Sequence, residues 1–155
     1  MHEWVVFAHI LGALLFMLAH GASAAVVFRL RQERDPAAVR VLVGLSRMTR
    51  PATYAGLILL IVAGLWAAMS GRWLSADGNL WLWVSIVLLV VILGAMYGML
   101  TPTFLRLRMA LGDGSAPVDQ AALERALAAP GPMVGVGIGL LGTLAILWLM
   151  VLKPF

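Results

Sequence analysis

The sequence predicts an all-α protein, a four-helix bundle that crosses a membrane with both termini on the outer side. Three observations predict it. Four stretches, Trp4–Phe28, Pro51–Gly71, Gly78–Leu105 and Ala126–Leu152, contain no Lys, Arg, Asp or Glu. Each reaches the roughly 20 residues that a helix needs to span a bilayer. Charged residues make up only 12% of the chain, about half the share in a soluble domain. Third, the arginines are unevenly placed. Arg29, Arg31, Arg34, Arg40, Arg47 and Arg50 lie between the first two stretches and Arg106, Arg108 and Arg125 between the last two, whereas the middle connection holds Arg72 alone. Such an excess of cations marks the cytoplasmic face. The chain therefore reads as a single multi-pass domain, 1–155, of a bacterial cytoplasmic (inner) membrane, with spans at about 4–28, 51–71, 79–102 and 130–152.

The first span is read as retained. Ala22-Ser23-Ala24 has the small-residue pattern of a cleavage site, but the leading Met-His-Glu has no cation and the positive charges follow the apolar stretch, the reverse of a signal peptide. After it, Asp35-Pro36 is a helix start, with Asp as N-cap and Pro at the first helical position. The mostly apolar Ala37–Met48 segment lies at the cytoplasmic interface or extends the second span inward. Arg50-Pro51 ends or kinks that segment. Trp66, Trp73, Trp81 and Trp83 bracket the short middle connection, as an interfacial aromatic belt does. Gly112–Pro117 is a flexible loop, and Asp119–Ala128 a short polar helix running toward Pro130. Lys153 sits at the outer boundary, where its ammonium can snorkel to water.

Phe28-Arg29-Leu30-Arg31 closes the first span and Leu105-Arg106-Leu107-Arg108 follows the third. Pro51 opens the second and Pro130 lies near the opening of the fourth. Two similar helical hairpins would produce this pattern, as would the ordinary punctuation of any positive-inside hairpin.

A net charge of +4 and a pI near 10.7 do not indicate nucleic acid, because the arginines flank apolar spans and fit an anionic membrane face. The chain has no cysteine, which excludes disulfides and thiolate-bound metals or clusters. No metalloprotease, nucleotide-binding or Ser/His/Asp motif is present. No acid or base lies within the second, third or fourth span, against an ion-coupled transporter.

The chemistry the sequence offers is in the first span. His9 and His20 are eleven residues apart, which at about 100° per residue returns to nearly the same helix face roughly 16 Å further along. His9, Ala13, Phe16, His20 and Ala24 share that stripe, and ionisable groups at membrane depth are functional candidates. A neutral imidazole can ligate haem iron or contact a quinone or proton. It can equally bond a carbonyl or serine of the next helix. The two histidines are too far apart to share one iron. A second axial ligand would come from Met69, Met96, Met99, Met133 or another chain. Gly12 and Ala13, just past His9, would leave room for a macrocycle. His2 is terminal and is assigned no role.

On the fourth span, Gly131, Gly135 and Gly139 repeat every four residues and Gly142 continues the face. Such ridges let helices approach closely, inside the bundle or against a membrane-protein partner or second copy. Gly94 and Gly98 form a smaller version on the third span. Arg29, Arg47 and Arg50 could pair with a haem propionate, an anionic lipid or a partner's carboxylate, or simply fix topology.

Phe7-Ala8-His9-Ile10-Leu11-Gly12 resembles the first-helix histidine motif of small bacterial four-helix membrane proteins: the CopD-like copper-resistance domain, the HemJ-type protoporphyrinogen oxidases and an uncharacterised family of predicted integral membrane proteins. Met48-Thr49-Arg50-Pro51-Ala52, Gly64-Leu65-Trp66 and Val151-Leu152-Lys153-Pro154-Phe155 resemble HemJ-type proteins and their uncharacterised relatives. His20-Gly21-Ala22-Ser23-Ala24 and Arg29-Leu30-Arg31 resemble the uncharacterised family as well, which fits best. The resemblance implies haem b on His9. HemJ-type enzymes also use a third-helix lysine, where this chain has Trp83-Val84-Ser85, so their reaction is not expected. CopD-type copper transport would want more histidine or methionine near the outer face. The expected function is a small redox-type membrane protein binding haem b through His9, with His20 serving a second haem, a propionate or a quinone. The alternative is a non-catalytic accessory or assembly subunit of a larger membrane complex.

Overall fold

Two α-helical hairpins lie side by side in the computed structural model, which describes residues 2–74, 79–112, 114 and 117–154. The described residues form six helices and no strand: α1 (His2–Gln32), α2 (Pro36–Met48), α3 (Arg50–Ser70), α4 (Leu80–Leu111), α5 (Gln120–Ala128) and α6 (Gly131–Leu152). The short α2 leads into α3 and the short α5 into α6, so four helical runs are long and apolar enough to cross a membrane. The fold class is the one the uncharged stretches predict.

Local chemistry sets the corners. The Asp35 carboxylate accepts from the Ala37 and Ala38 amides at 3.1 and 3.3 Å, capping α2. Asp119 caps α5 through the Ala122 amide at 2.9 Å. Both caps satisfy amides that the first helical turn leaves without partners. Thr49 separates α2 from α3, and Pro51, which has no amide to donate, sits in the first turn of α3. Pro132 holds the same place in α6. It, rather than Pro130, is the counterpart of Pro51. Each half thus repeats a long helix, an Asp-capped short helix and a proline-led span.

The third span runs further than expected. α4 continues through Pro102 to Leu111, although a proline inside a helix costs about 3 kcal/mol in isolation. Tertiary burial offsets that cost: Phe104, Leu107, Ala110 and Leu111 pack with Val26, Val27 and Leu30 of α1, Val39 and Val43 of α2, and Leu123 and Leu127 of α5. This cluster occupies the arginine-rich end. A smaller one, Ala68, Trp81, Leu82 and Leu149, occupies the tryptophan-rich end. Between them large apolar side chains such as Leu18, Val90 and Leu141 face outward, as lipid contact requires.

Lipid supplies no hydrophobic drive between helices, so close packing must hold them. α1 packs along α3, and α4 along α6; α1 and α3 make no close backbone approach to α4 among the described residues. The α1–α3 crossing is backbone against backbone. A Cβ on Gly12 would lie 2.5 Å from the Leu60 nitrogen, and one on Gly56 2.6 Å from the Phe16 nitrogen. The volume expected beside Gly12 for a macrocycle is therefore filled by α3. In the second hairpin, Gly135 meets Met99 and Leu100, Gly139 meets Met96, and Gly142 meets Ile92. The glycine face, read as packing inside the bundle or against a partner or second copy, packs inside the bundle, against α4 and, at Gly139, against His20 of α1.

Polar staples join the hairpins at their ends. Arg40 donates to the Leu111 and Gly112 carbonyls at 2.6 and 3.0 Å, closing the C-terminus of α4. Arg31 donates to the Ala129 carbonyl at 3.2 Å beyond α5. At the other end the Lys153 ammonium lies 4.6 Å from the Trp73 ring centre and 5.3 Å from that of Trp81. Lys153 therefore stacks on the aromatic belt instead of extending freely.

Candidate functional site: two histidines in the first span

His9 faces α3. Its Nδ1 lies 2.8 Å from the Leu60 carbonyl oxygen, and a carbonyl can only accept, so Nδ1 carries the proton. One turn further along α3, a Cβ on Gly64 would lie 2.8 Å from Nδ1 and 2.9 Å from Cε1. The missing side chain at Gly64 is what lets the ring reach a carbonyl already engaged within its helix. The ring edge bearing Nδ1 and Cε1 is turned to α3, and Nε2 is turned away.

His20 faces the other hairpin. Its Nε2 lies 2.8 Å, and Met96 Sδ 3.4 Å, from the point where a Cβ on Gly139 would stand. The ring stacks on Phe16 with centroids 5.9 Å apart and an interplanar angle of 6°. Among the described residues neither ring nitrogen of His20 is hydrogen-bonded. The shared stripe on α1 thus splits between neighbours: His9 belongs to the α1–α3 crossing, His20 to the seam with α6 and α4. Of the methionines considered as a second ligand, Met96 is brought to His20.

Ser23, three residues past His20, places its hydroxyl 2.9 Å from that of Thr49, and Thr49 donates to the Ser46 carbonyl at 2.9 Å. This ties α1 to the α2–α3 corner. On α4, Ser85 is buried and donates to the Trp81 carbonyl of its own helix at 2.7 Å. The described residues contain no group of three or more His, Asp or Glu able to hold a metal ion. Any metal here would rest on an imidazole supplemented by a thioether or by a cofactor.

Arginine is where sequence reasoning missed most. Arg31 and Arg40, read only as topology signals, cap helices of the opposite hairpin. Arg29 pairs with Glu33 at 3.6 Å and is committed there. Arg50 begins α3 ten residues before Leu60, about 15 Å along the helix.

This arrangement is that of a small helical membrane protein with an ionisable pair in one span. Residues 3–154 match the family model described as "Predicted integral membrane protein (DUF2269)", and the chain belongs to that family. No curated protein and no solved structure matches it.

Proposed function

We propose that this chain is a small redox-type protein of the bacterial cytoplasmic membrane that binds haem b through His9. The observation that carries the reading is the 2.8 Å contact from His9 Nδ1 to the Leu60 carbonyl. It holds the ring as the Nδ1–H tautomer and leaves the Nε2 lone pair free. Histidines that ligate metals characteristically donate their other ring N–H to a carbonyl or carboxylate, which fixes orientation and raises basicity. Haem would supply reversible one-electron chemistry, and a His ligand with low-dielectric surroundings tunes its potential. Gly64 seats the ring and Leu60 orients it. The space beside Gly12 is filled by α3 and is not open to the macrocycle. Protoporphyrinogen oxidation is not proposed, because the Trp83-Val84-Ser85 neighbourhood carries no lysine.

A second reading, an accessory or assembly subunit of a larger complex, is favoured by one observation. Gly94 and Gly98, one turn apart on α4, are exposed and a Cβ on either would meet nothing within 4 Å. Small residues so spaced accept a partner helix.

The test is haem stoichiometry and a reduced-minus-oxidised spectrum of purified wild type, His9→Ala and His20→Ala. The expected result is haem in wild type and in His20→Ala, with little in His9→Ala. Equal haem in wild type and His9→Ala would overturn the assignment. A haem-free wild type that co-purifies with other subunits would replace it with the second reading.

A further inference from the structure

We infer that Arg47, Arg50 and Arg108 form a binding site for the headgroup of an anionic membrane phospholipid. The α2–α3 corner is pressed against the end of α4: Val43 of α2 packs in one cluster with Phe104 and Leu107 of α4. Arg47 follows Val43 by one turn, Arg50 begins α3, and Arg108 follows Leu107. All three arginines are thus carried at the same corner of the bundle, where Arg108, half-buried, lies within electrostatic reach of both others. None of the three side chains forms a hydrogen bond or ion pair among the described residues. Arg29, Arg31, Arg34, Arg40 and Arg125 all do.

Three like charges held together without an acid repel one another, and a phosphate between them relieves that repulsion through charge-assisted, forked hydrogen bonds. The flanks choose a lipid over a soluble anion. Met48, Tyr54 and Leu105 are 77%, 61% and 55% exposed beside the cluster. Beyond it, α3 and α4 make no close backbone approach among the described residues, so acyl chains have an apolar course to follow from the cations. This site is distinct from the His9 contact, since Arg50 begins α3 and Leu60 lies ten residues further on, at mid-helix.

The experiment is native mass spectrometry of the full chain equilibrated in mixed micelles of phosphatidylglycerol and phosphatidylcholine. Wild type should retain phosphatidylglycerol in preference to phosphatidylcholine. Arg108→Gln alone should lower that preference about fivefold, as expected for one cation near an anionic surface. The triple Arg47→Gln/Arg50→Gln/Arg108→Gln should abolish it. The charge-matched triple Arg34→Gln/Arg106→Gln/Arg125→Gln should keep it. If the first triple does not accumulate folded, Arg108→Gln read against Arg106→Gln decides the matter. Equal retention of both lipids by wild type, equal loss in the two triples, or equal loss in Arg108→Gln and Arg106→Gln would overturn the site. Displacement of the lipid by inorganic phosphate at equal concentration would overturn its assignment to a lipid.

Discussion

The imidazole of His9 occupies the volume that a side chain on Gly64 would need. A Cβ there would stand 2.8 Å from Nδ1, closer than real contacts allow, and the ring it would displace holds the Leu60 carbonyl. Gly64→Ala should therefore push the ring off its acceptor. We expect a loss of about 1–3 kcal/mol from overpacking, together with loss of whatever His9 ligates. Thermal unfolding in detergent and haem content are the measurements. A variant as stable and as loaded as wild type would refute the pairing.

Glycines in the spans should fall into two classes. Gly12→Ala and Gly56→Ala drive a methyl into the backbone of the opposing helix, and each should cost at least as much as Gly64→Ala, since backbone cannot rotate aside as a side chain can. Gly94→Ala and Gly98→Ala meet open space and should leave the isolated protein's stability unchanged or slightly raised. Comparable melting temperatures for the four variants would contradict the α1–α3 crossing.

The turn between α1 and α2 should respond to acid. Hydrogen bonds from the Asp35 and Arg34 amides at 3.2 and 3.0 Å, with Arg29 at 3.6 Å, hold the Glu33 carboxyl below the usual glutamate range. A depressed folded-state pKa means that the stabilisation is complete above the ordinary value and disappears as pH falls through the depressed one. As pH falls below the ordinary glutamate range, wild type should lose more stability than Glu33→Gln, which keeps an acceptor oxygen without the titration. Parallel melting curves across that range would show that the carboxylate contributes nothing.

Sidedness follows from the arginines. Single cysteines at position 75, between α3 and α4, and position 115, between α4 and α5, should react differently with an impermeant thiol reagent applied to intact cells. Ser75→Cys should be labelled and Ser115→Cys protected. The opposite pattern would invert the orientation, placing both termini in the cytoplasm.

The spans were legible because lipid imposes one requirement on every residue of a crossing helix, and the uncharged stretches meet it. The caps at Asp35 and Asp119 were legible because a cap is a contact between near neighbours. The extension of α4 past Pro102 was not, because it depends on Leu107 and Leu111 finding α1, α2 and α5, residues far away in the chain. His9 and His20 stood out as candidates, but their environments did not. Gly64 drew notice only within Gly64-Leu65-Trp66, and only the α1–α3 register shows that its bare Cα faces an imidazole. The same holds for Met96, one of four equivalent methionines until α4 is laid against α6. The arginine pattern gives an expectation for the side of the membrane but not which guanidiniums close helices and which stay unpaired.

The placement of Lys153 has a consequence for assembly during synthesis. Everything that locks α1 to α3, namely Gly12, Gly56, Gly64 and the His9 bond, lies within the portion of chain that ends at Ser70. Because chains emerge from the N-terminus onward, that hairpin can close in the bilayer while α4 is still being made. The stacking of Lys153 on Trp73 and Trp81 waits until α6 has been made. The N-terminal half is then a template already standing when the second half arrives, and Lys153 fastens the two together.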